Sequence, residues 1–263
     1  RSFGFLALTR DGKVVTWGRG PYPAYTGPPE SVLSGNYIKI FSNRLAFAAL
    51  KGNGQLESWG HNGMTKVVDD VASVVATSNA FAAMKENGHM ESWGWDGMLS
   101  RRVGKRERAV KSVVATDCSF ALLKRSGKVI CWAGAGMPGR TPNDLTGELH
   151  FNVVSMGADP IGVRSNSASV NNILHILDEG VECLAASFNA FAAVKGNVVH
   201  SWGIITNGAE YVTVTMPTPV VDVTGHKDGS FTLRCANDRL FSWRGRCFDP
   251  CLSRVQHVPP QIP

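Results

Sequence analysis

The sequence lacks the motifs that would mark a common enzyme class. It contains no Gly-x-Ser-x-Gly, no His-Glu-x-x-His and no phosphate-binding loop ending in Gly-Lys-Ser/Thr, which elsewhere position a nucleophile, a zinc ion or a nucleotide phosphate. A Gly-x-Gly-x-x-Gly match at 134–139 includes Pro138, which disfavours the helix that a dinucleotide site needs at this point. We therefore predict a protein with no catalytic activity of its own and no bound cofactor.

Other absences restrict the protein class. No apolar run approaches the roughly 20 residues of a membrane-spanning helix, so no transmembrane segment is predicted. The sequence has no Asn-x-Ser/Thr site, which disfavours a glycosylated extracellular protein. Six cysteines do not make a disulfide framework in 263 residues. The chain begins with Arg1 rather than Met, so we expect a soluble or peripheral protein that has been processed, for example for an organelle, and its compartment stays open.

The main feature that is present is a repeat. The stretch Phe47-Ala-Ala-Leu-Lys leads through Gly54 to Ser-Trp59-Gly, and the same pattern recurs around Phe81 and Trp93. The Trp follows the Phe by 12 residues in five copies and by 11 in a sixth. The six pairs are Phe5 and Trp17, Phe47 and Trp59, Phe81 and Trp93, Phe120 and Trp132, Phe191 and Trp202, and Phe231 and Trp243. A gap of 71 residues between the fourth and fifth Phe leaves room for a seventh, degenerate copy.

Each copy predicts three short strands. A β-branched run such as 72–77 is followed by the apolar Phe strand, a tight turn with Asn-Gly or Asp-Gly, and a strand that ends at the Trp. Small sheets of this kind bury both faces only by stacking on their neighbours, which predicts an all-β protein and favours a β-propeller. The predicted hairpins cover residues 3–18, 45–60, 79–94, 118–133, 158–176 (the degenerate copy), 189–203 and 229–244, in a single domain over 1–263.

These repeats resemble those of the RCC1-like family, named after the regulator of chromosome condensation. The matching positions are the Trp-Gly step, the hairpin Gly and the Phe-Ala strand, and the resemblance extends over the whole chain. The repeat is shorter here, and the Gly-Gln-Leu-Gly stretch of the founding member is absent. The resemblance implies a seven-bladed β-propeller of the short-repeat kind. Because the chain starts inside one copy and ends with a strand-like segment at 254–258, we expect the C-terminal strand to close the ring.

A basic segment lies between the third and fourth hairpins. Residues 101–111 carry six cations against one anion, within a net charge of +6. The cations are Arg101, Arg102, Lys105, Arg106, Arg108 and Lys111. The segment fits a protein partner with an acidic surface; contact with an anionic membrane surface and a merely solvated loop are the alternatives. It has no interleaved stacking aromatics, which argues against nucleic acid as the partner.

The segments that follow each Trp-Gly step differ between copies, as binding loops of repeat proteins do. Tyr22, Tyr25, Trp95 and Met98 lie in these segments and belong to residue types that are enriched in interfaces. With Arg101, Arg102, Lys105, Arg106 and Arg108 of the basic segment they form the predicted partner-binding set, although a role in covering blade ends stays open.

Two cysteines, Cys247 and Cys251, lie together in a predicted loop. A local disulfide and a pair of free thiols are both compatible with this spacing. The spacing does not fit a usual zinc site, so no metal site is predicted.

The function that these observations favour is a non-catalytic protein-protein interaction module, an accessory or structural subunit of a larger assembly. One alternative is a regulator of another enzyme, either a guanine-nucleotide exchange factor for a small GTPase, which the resemblance implies, or a protein inhibitor. A second alternative is a propeller that binds carbohydrate or another small ligand.

Overall fold

The structure, a computed structural model, describes residues 4–18, 35–60, 64–94, 107–117, 119–133, 177–188, 190–205, 209–216 and 218–244. Over these residues the regular structure consists almost entirely of β-strands, so the all-β prediction is confirmed. The degenerate copy at 158–176 and the closing strand at 254–258 lie outside the described residues. The seven-blade count, the ring closure and the single domain therefore stay predictions.

The described strands are short and follow one another along the chain. They are β1 (Gly4–Leu8), β2 (Val14–Gly18), β3 (Tyr37–Ser42), β4 (Ala46–Lys51), β5 (Leu56–Gly60), β6 (Lys66–Val68), β7 (Val71–Ala76), β8 (Ala80–Lys85), β9 (Met90–Gly94), β10 (Val110–Ala115), β11 (Ser119–Lys124), β12 (Val129–Ala133), β13 (Cys183–Ala186), β14 (Ala190–Lys195), β15 (Val198–Ile205), β16 (Ala209–Thr215), β17 (Val220–Gly225), β18 (Ser230–Cys235) and β19 (Leu240–Arg244).

The chain forms two compact units. The first consists of Arg1–Arg125 and Ile130–Val154, and the second of Ser126–Val129 and Ser155–Pro263. Apart from Val129, the first unit holds the sheets β1-β2, β3-β4-β5-β6, β7-β8-β9 and β10-β11-β12. The second unit holds the sheets β13-β14-β15-β16 and β17-β18-β19. Neighbouring strands in every sheet are consecutive in sequence.

The hairpin register explains the repeated Phe-to-Trp spacing. Phe47 lies directly opposite Trp59 across β4 and β5, and Phe81 lies opposite Trp93 across β8 and β9. The ring centroids are 6.1 Å apart in the first pair and 5.7 Å apart in the second, with tilted planes. Such cross-strand aromatic pairs fix the register of a hairpin.

The hairpin turns differ in detail from the two-residue turns that Asp-Gly and Asn-Gly predict. In the first turn the amide of Thr9 donates to the carbonyl of Lys13 (2.8 Å), which leaves a three-residue loop. Only Gly12 of that loop has a positive φ, at 75°. This is the three-residue hairpin loop in which a type I turn is followed by a left-handed glycine. In a later copy the turn Asn has a different role. The side-chain oxygen of Asn53 accepts a hydrogen bond from the backbone amide of Gln55 (3.1 Å).

Stacking of sheet on sheet buries aromatic pairs of later copies, whereas Phe5 and Trp17 of the first copy are exposed. In the first unit, Phe81 and Trp93 pack with Ala46, Ala48 and Leu50 of the preceding sheet. In the second unit, Phe231 packs in the same way on a face that contains Ala192. The repeated alanines are therefore small because the Phe and Trp rings of the next sheet occupy the space above them. Each fully buried Phe contributes roughly 3 to 5 kcal/mol, as judged from truncations to Ala in other cores.

The glycine that follows the Trp is required by a close approach within the hairpin. A Cβ added to Gly60 would lie 2.5 Å from the carbonyl oxygen of Leu45, and one added to Gly94 would lie 2.6 Å from the Cβ of Ala80. Neither neighbour is a flexible side-chain end, so no larger residue fits. Packing therefore explains the Trp-Gly step in these two copies; the residue after the Trp is Ala133 in the fourth copy and Arg244 in the last.

Candidate interaction surface

Of the predicted partner-binding residues, the structure describes Arg108. Those outside the described residues are Tyr22, Tyr25, Trp95, Met98, Arg101, Arg102, Lys105 and Arg106, together with Cys247 and Cys251. Arg108 is described, and it is exposed. The candidate site is therefore built from Arg108 and from the described residues that surround it in the first unit.

A backbone arrangement recurs at the hairpin-turn end of three sheets of the first unit. The residue before the leading strand has a left-handed backbone at Asn36 (φ 68°), Asp70 (φ 60°) and Ala109 (φ 57°). Its carbonyl accepts a hydrogen bond from the residue that follows the Phe strand of the same sheet. The bonds run from the amide of Gly52 to Asn36 (3.1 Å), from Glu86 to Asp70 (2.9 Å) and from Arg125 to Ala109 (2.8 Å).

A second recurring bond joins each sheet to the next one. The amide of the first leading-strand residue donates to the carbonyl of the preceding hairpin glycine. Tyr37 donates to Gly12 (2.9 Å), Val71 to Gly54 (2.9 Å) and Val110 to Gly88 (3.2 Å). The second unit has the same bond from Val220 to Gly196 (3.0 Å). Within the first unit, a backbone bond thus joins the hairpin-turn end of each of four successive sheets to the next.

Because the backbone supplies these bonds, the side chains at the same positions are free to differ. The first of the three pairs, Asn36 and Gly52, is uncharged, whereas Asp70 and Glu86 are both acidic. In the third pair, Arg125 is basic, and Arg108 and Lys111 flank its partner Ala109. The charge therefore changes sign between two neighbouring sheets.

The basic half of this surface lies on β10 and β11. Arg108, Lys111 and Arg125 are all exposed. Lys111 occupies the bulge of β10, since the register passes from Val110 directly to Ser112, and a bulge re-aims the side chain that it carries. The adjacent acid, Glu107, pairs with Lys124 at 2.7 Å. None of the ion pairs among the described residues involves Arg108 or Arg125.

The acidic half lies on the adjoining sheet β7–β9. Asp69, Asp70 and Glu86 are exposed, and the Asp69 carboxylate accepts a hydrogen bond from the Gln55 amide at 2.9 Å. The two halves meet where the amide of Val110 donates to the carbonyl of Gly88. We call the exposed residues Asp69, Asp70, Glu86, Arg108, Lys111 and Arg125 together the split-charge surface.

Partly buried ion pairs lie beneath this surface. Glu91 accepts from Lys66 (2.7 Å) and from Lys85 (2.9 Å). Burial alone would raise the pKa of Glu91, but the hydrogen bonds from the two lysines outweigh it and hold the pKa below its ordinary value. Lys66 also lies 5.3 Å from the ring centroid of Trp93, so this cluster connects the sheet β3–β6 to the sheet β7–β9.

The preceding sheet carries a related network. The hydroxyl of Tyr37 donates to Glu57 (2.7 Å), and Lys51 pairs with the other Glu57 oxygen (2.5 Å). Burial, and then the hydrogen bond to Glu57, raise the pKa of the Tyr37 phenol. Glu57 and Glu91 both stand two residues before a Trp, and Lys51 and Lys85 both stand four residues after a Phe. This Lys-Glu pairing is thus a repeated structural bond.

In the second unit the position of those glutamates is taken by His200, which is buried. Burial, and then the charge of Lys195, lower the pKa of the His200 imidazole. A buried histidine therefore lies near the repeated lysine here, where β5 and β9 of the first unit have a carboxylate.

The opposite ends of the strands in the first unit are also connected from sheet to sheet. The amide of Arg44 donates to the carbonyl of Ser78 (3.1 Å), and the amide of Ser78 donates to that of Asp117 (2.7 Å). The Ser78 hydroxyl bonds to the Asp117 carboxylate, and the Arg44 guanidinium lies 3.9 Å from it. At this end, therefore, the Asp117 carboxylate is matched by partners on two other sheets of the unit.

The sequence indicated only part of the split-charge surface. Arg108 and Lys111 belong to the basic segment, but the sequence prediction does not include Asp69, Asp70, Glu86 or Arg125. A signal was available, since Asp70 to Glu86 and Ala109 to Arg125 are both 16 residues apart. Alignment of the repeats at this spacing would have shown that acidic and basic residues occupy equivalent positions.

The described ranges contain neither a helix that could span a membrane nor a cluster of metal ligands. No helix within them is long and apolar enough to cross a membrane. No group of three or more His, Cys, Asp or Glu side chains in the same ranges is arranged to hold a metal ion.

Comparisons with known proteins yield similar structures only. No protein-family model matches the chain, and no curated protein does. The CRINKLY WD40 ectodomain of the receptor kinase ACR4 from Arabidopsis thaliana has a TM-score of 0.48 and 14% identity, over 92% of this chain and 76% of that one. Human WBSCR16 has a TM-score of 0.47 and 16% identity, over 85% of this chain and 67% of that one.

A third similar structure is Prp20p from Saccharomyces cerevisiae, with a TM-score of 0.46 and 15% identity, over 78% of this chain and 56% of that one. That protein is described together with its binding to Gsp1p and histones. At identities and TM-scores of this size, no property of these proteins is transferred to the present chain.

Proposed function

We propose that this chain is a non-catalytic protein-protein interaction module and serves as an accessory subunit of a larger assembly. The observation that carries the proposal is the contrast between constant backbone and variable side chains in the first unit. The same two hydrogen bonds recur at the turn end of successive sheets, while the exposed residues there change from uncharged to acidic to basic. A constant scaffold with variable exposed residues is how repeat proteins present binding surfaces.

The rigidity of this surface favours binding of another macromolecule. Backbone bonds connect neighbouring sheets at both ends of the strands, and the aromatic pairs Phe47–Trp59 and Phe81–Trp93 are buried. A surface that is ordered before binding loses less conformational entropy when a partner docks. The module therefore needs no rearrangement of its own strands to form a complex.

The proposal is tested by sedimentation of the endogenous protein from extracts of its own cells. We expect it to co-sediment, in constant stoichiometry, with a particle much larger than one chain. Sedimentation as a single chain at all protein concentrations would contradict the proposal.

The alternative functions have distinct readouts in the same preparation. An exchange factor accelerates release of labelled nucleotide from a small GTPase, an inhibitor abolishes the activity of a stoichiometric partner enzyme, and a carbohydrate binder is eluted from a sugar column by free sugar. We expect none of the three activities from the purified chain.

A further inference from the structure

We propose that the split-charge surface docks a protein segment that carries acidic and basic groups side by side, with the acidic group against Arg108 and Arg125 and the basic group against Asp70 and Glu86. This inference rests on the proposed function, because it names the partner chemistry for one surface of the same module.

The two halves of the split-charge surface are close enough for one short peptide segment to contact both. Val110 donates to Gly88 across the junction at 3.2 Å, and a Cβ on Gly88 would lie 3.5 Å from the amide nitrogen of Ala109. Glu86 stands two residues before Gly88, and Arg108 stands two residues before Val110. An extended segment rises about 3.3 Å per residue, so a few residues reach from one half to the other.

The backbone of the basic half is strained at Ala109, whereas the equivalent residues Asn36 and Asp70 of the other copies are not strained. Asn36 and Asp70 belong to the residue types that tolerate a left-handed backbone, but Ala109 does not. The strain is held by the bond from the Arg125 amide to the Ala109 carbonyl at 2.8 Å. That bond places Arg125 directly beside the segment that carries Arg108 and Lys111. Strained backbone of this kind is concentrated at functional sites.

The charge pattern distinguishes between classes of partner. Nucleic acid and anionic membranes present uniform negative charge, and their affinity comes from many phosphate contacts in parallel. A uniform polyanion on the basic half would extend over Asp69, Asp70 and Glu86, where like charges repel it. A protein segment with both signs of charge meets no such repulsion. Arginine also fits a carboxylate particularly well, since its planar guanidinium donates two parallel hydrogen bonds.

The test uses the full chain and a fluorescein-labelled synthetic peptide with four glutamates, a Gly-Ser spacer and four lysines. Fluorescence anisotropy at low salt should show saturable binding of one peptide per chain, weakened by added salt because exposed charges are screened. The double variant Arg108→Glu/Arg125→Glu should bind at least about tenfold more weakly, the change expected from loss of one charge-assisted contact.

Two further variants separate the surface from net charge and from misfolding. Arg10→Glu/Lys227→Glu makes the same change in net charge at exposed turn residues elsewhere and should bind the peptide as the unmodified chain does. Adding Asp69→Lys and Glu86→Lys to the Arg108→Glu/Arg125→Glu variant exchanges the two halves, so binding of the same peptide should return. Asp70 is left unchanged because its left-handed backbone does not suit lysine.

Two kinds of result would contradict the proposal. Absence of saturable binding, or equal loss in the Arg10→Glu/Lys227→Glu control, overturns the proposal. Tighter binding of duplex DNA or of phosphatidylserine vesicles at the same salt, lost in Arg108→Glu/Arg125→Glu, identifies a polyanion and overturns the partner class.

Analysis of the native particle distinguishes failure of this proposal from failure of the proposed function on which it rests. If Arg108→Glu/Arg125→Glu remains in the large particle, the interaction module stands and the split-charge surface is wrong. If the unmodified chain is in no particle, the proposed function itself fails.

Discussion

The left-handed backbone at Ala109 gives the sharpest stability prediction. Its φ is 57°, and this conformation costs an ordinary L-residue about 1 to 2 kcal/mol. Glycine adopts it freely, but glycine also gains about 0.5 to 1 kcal/mol of conformational freedom in the unfolded chain. The Ala109 side chain is exposed, so little packing is lost on its removal. The net expectation for Ala109→Gly is a stabilisation of about 0.5 to 1 kcal/mol.

The matched control is Ala72→Gly, an exposed alanine in the bulge of β7. Ala72 is not among the residues with positive φ, so the same substitution should destabilise by about 0.5 to 1 kcal/mol. Urea unfolding followed by tryptophan fluorescence should move the midpoint up for Ala109→Gly and down for Ala72→Gly, each by about 0.3 M. A downward shift for Ala109→Gly as well would refute the reasoning.

Three other changes test the packing, the buried hydrogen bonds and the pH response. Gly94→Ala should destabilise by about 2 kcal/mol or more, because its Cβ would lie 2.6 Å from that of Ala80; an unchanged thermal melt would disprove the close approach. Ser58→Ala removes the acceptor of the Trp93 indole at 2.9 Å and should cost about 1 to 3 kcal/mol; denaturant titration that shows no loss would contradict this bond. Since the pKa of His200 is lowered from 6.5, the unfolded chain takes up the proton first as the pH falls, so stability should decline below about pH 6.5. His200→Gln should flatten that decline in melts recorded between pH 8 and pH 5, and an unaltered slope would exclude His200 as its source.

Much of the local structure could be predicted from the sequence because the same residue pattern recurs in several copies. The spacing from Phe47 to Trp59 predicts a hairpin with the two rings opposed, and the register has them opposed. The turn type was less accessible. Asn-Gly predicts a two-residue turn in which both residues are left-handed. In the structure Gly54 has the positive φ, and the Asn53 side chain accepts a hydrogen bond from the Gln55 amide.

The split-charge surface was harder to predict for a physical reason. Its backbone frame depends on bonds between residues far apart in sequence, such as Val110 with Gly88. Single-sequence patterns report the periodicity of burial, but they do not report which exposed residues become neighbours when sheets stack. Arg125 lies in a hairpin turn, outside the basic run at 101–111, so only the stacked sheets show its relation to Arg108.

The most direct test of the account is hydrogen–deuterium exchange of the chain, free and within the native particle purified from its own cells. If the split-charge surface receives a protein partner, exchange should slow on assembly in the peptides that cover 84–88, 107–111 and 124–125, at the turn end of the first unit. Exchange in strands β4 and β8, already buried, should be unchanged because the scaffold does not rearrange. Identical exchange of the turn-end peptides in the free and assembled chain would contradict the claim that this end of the repeat scaffold receives a protein partner.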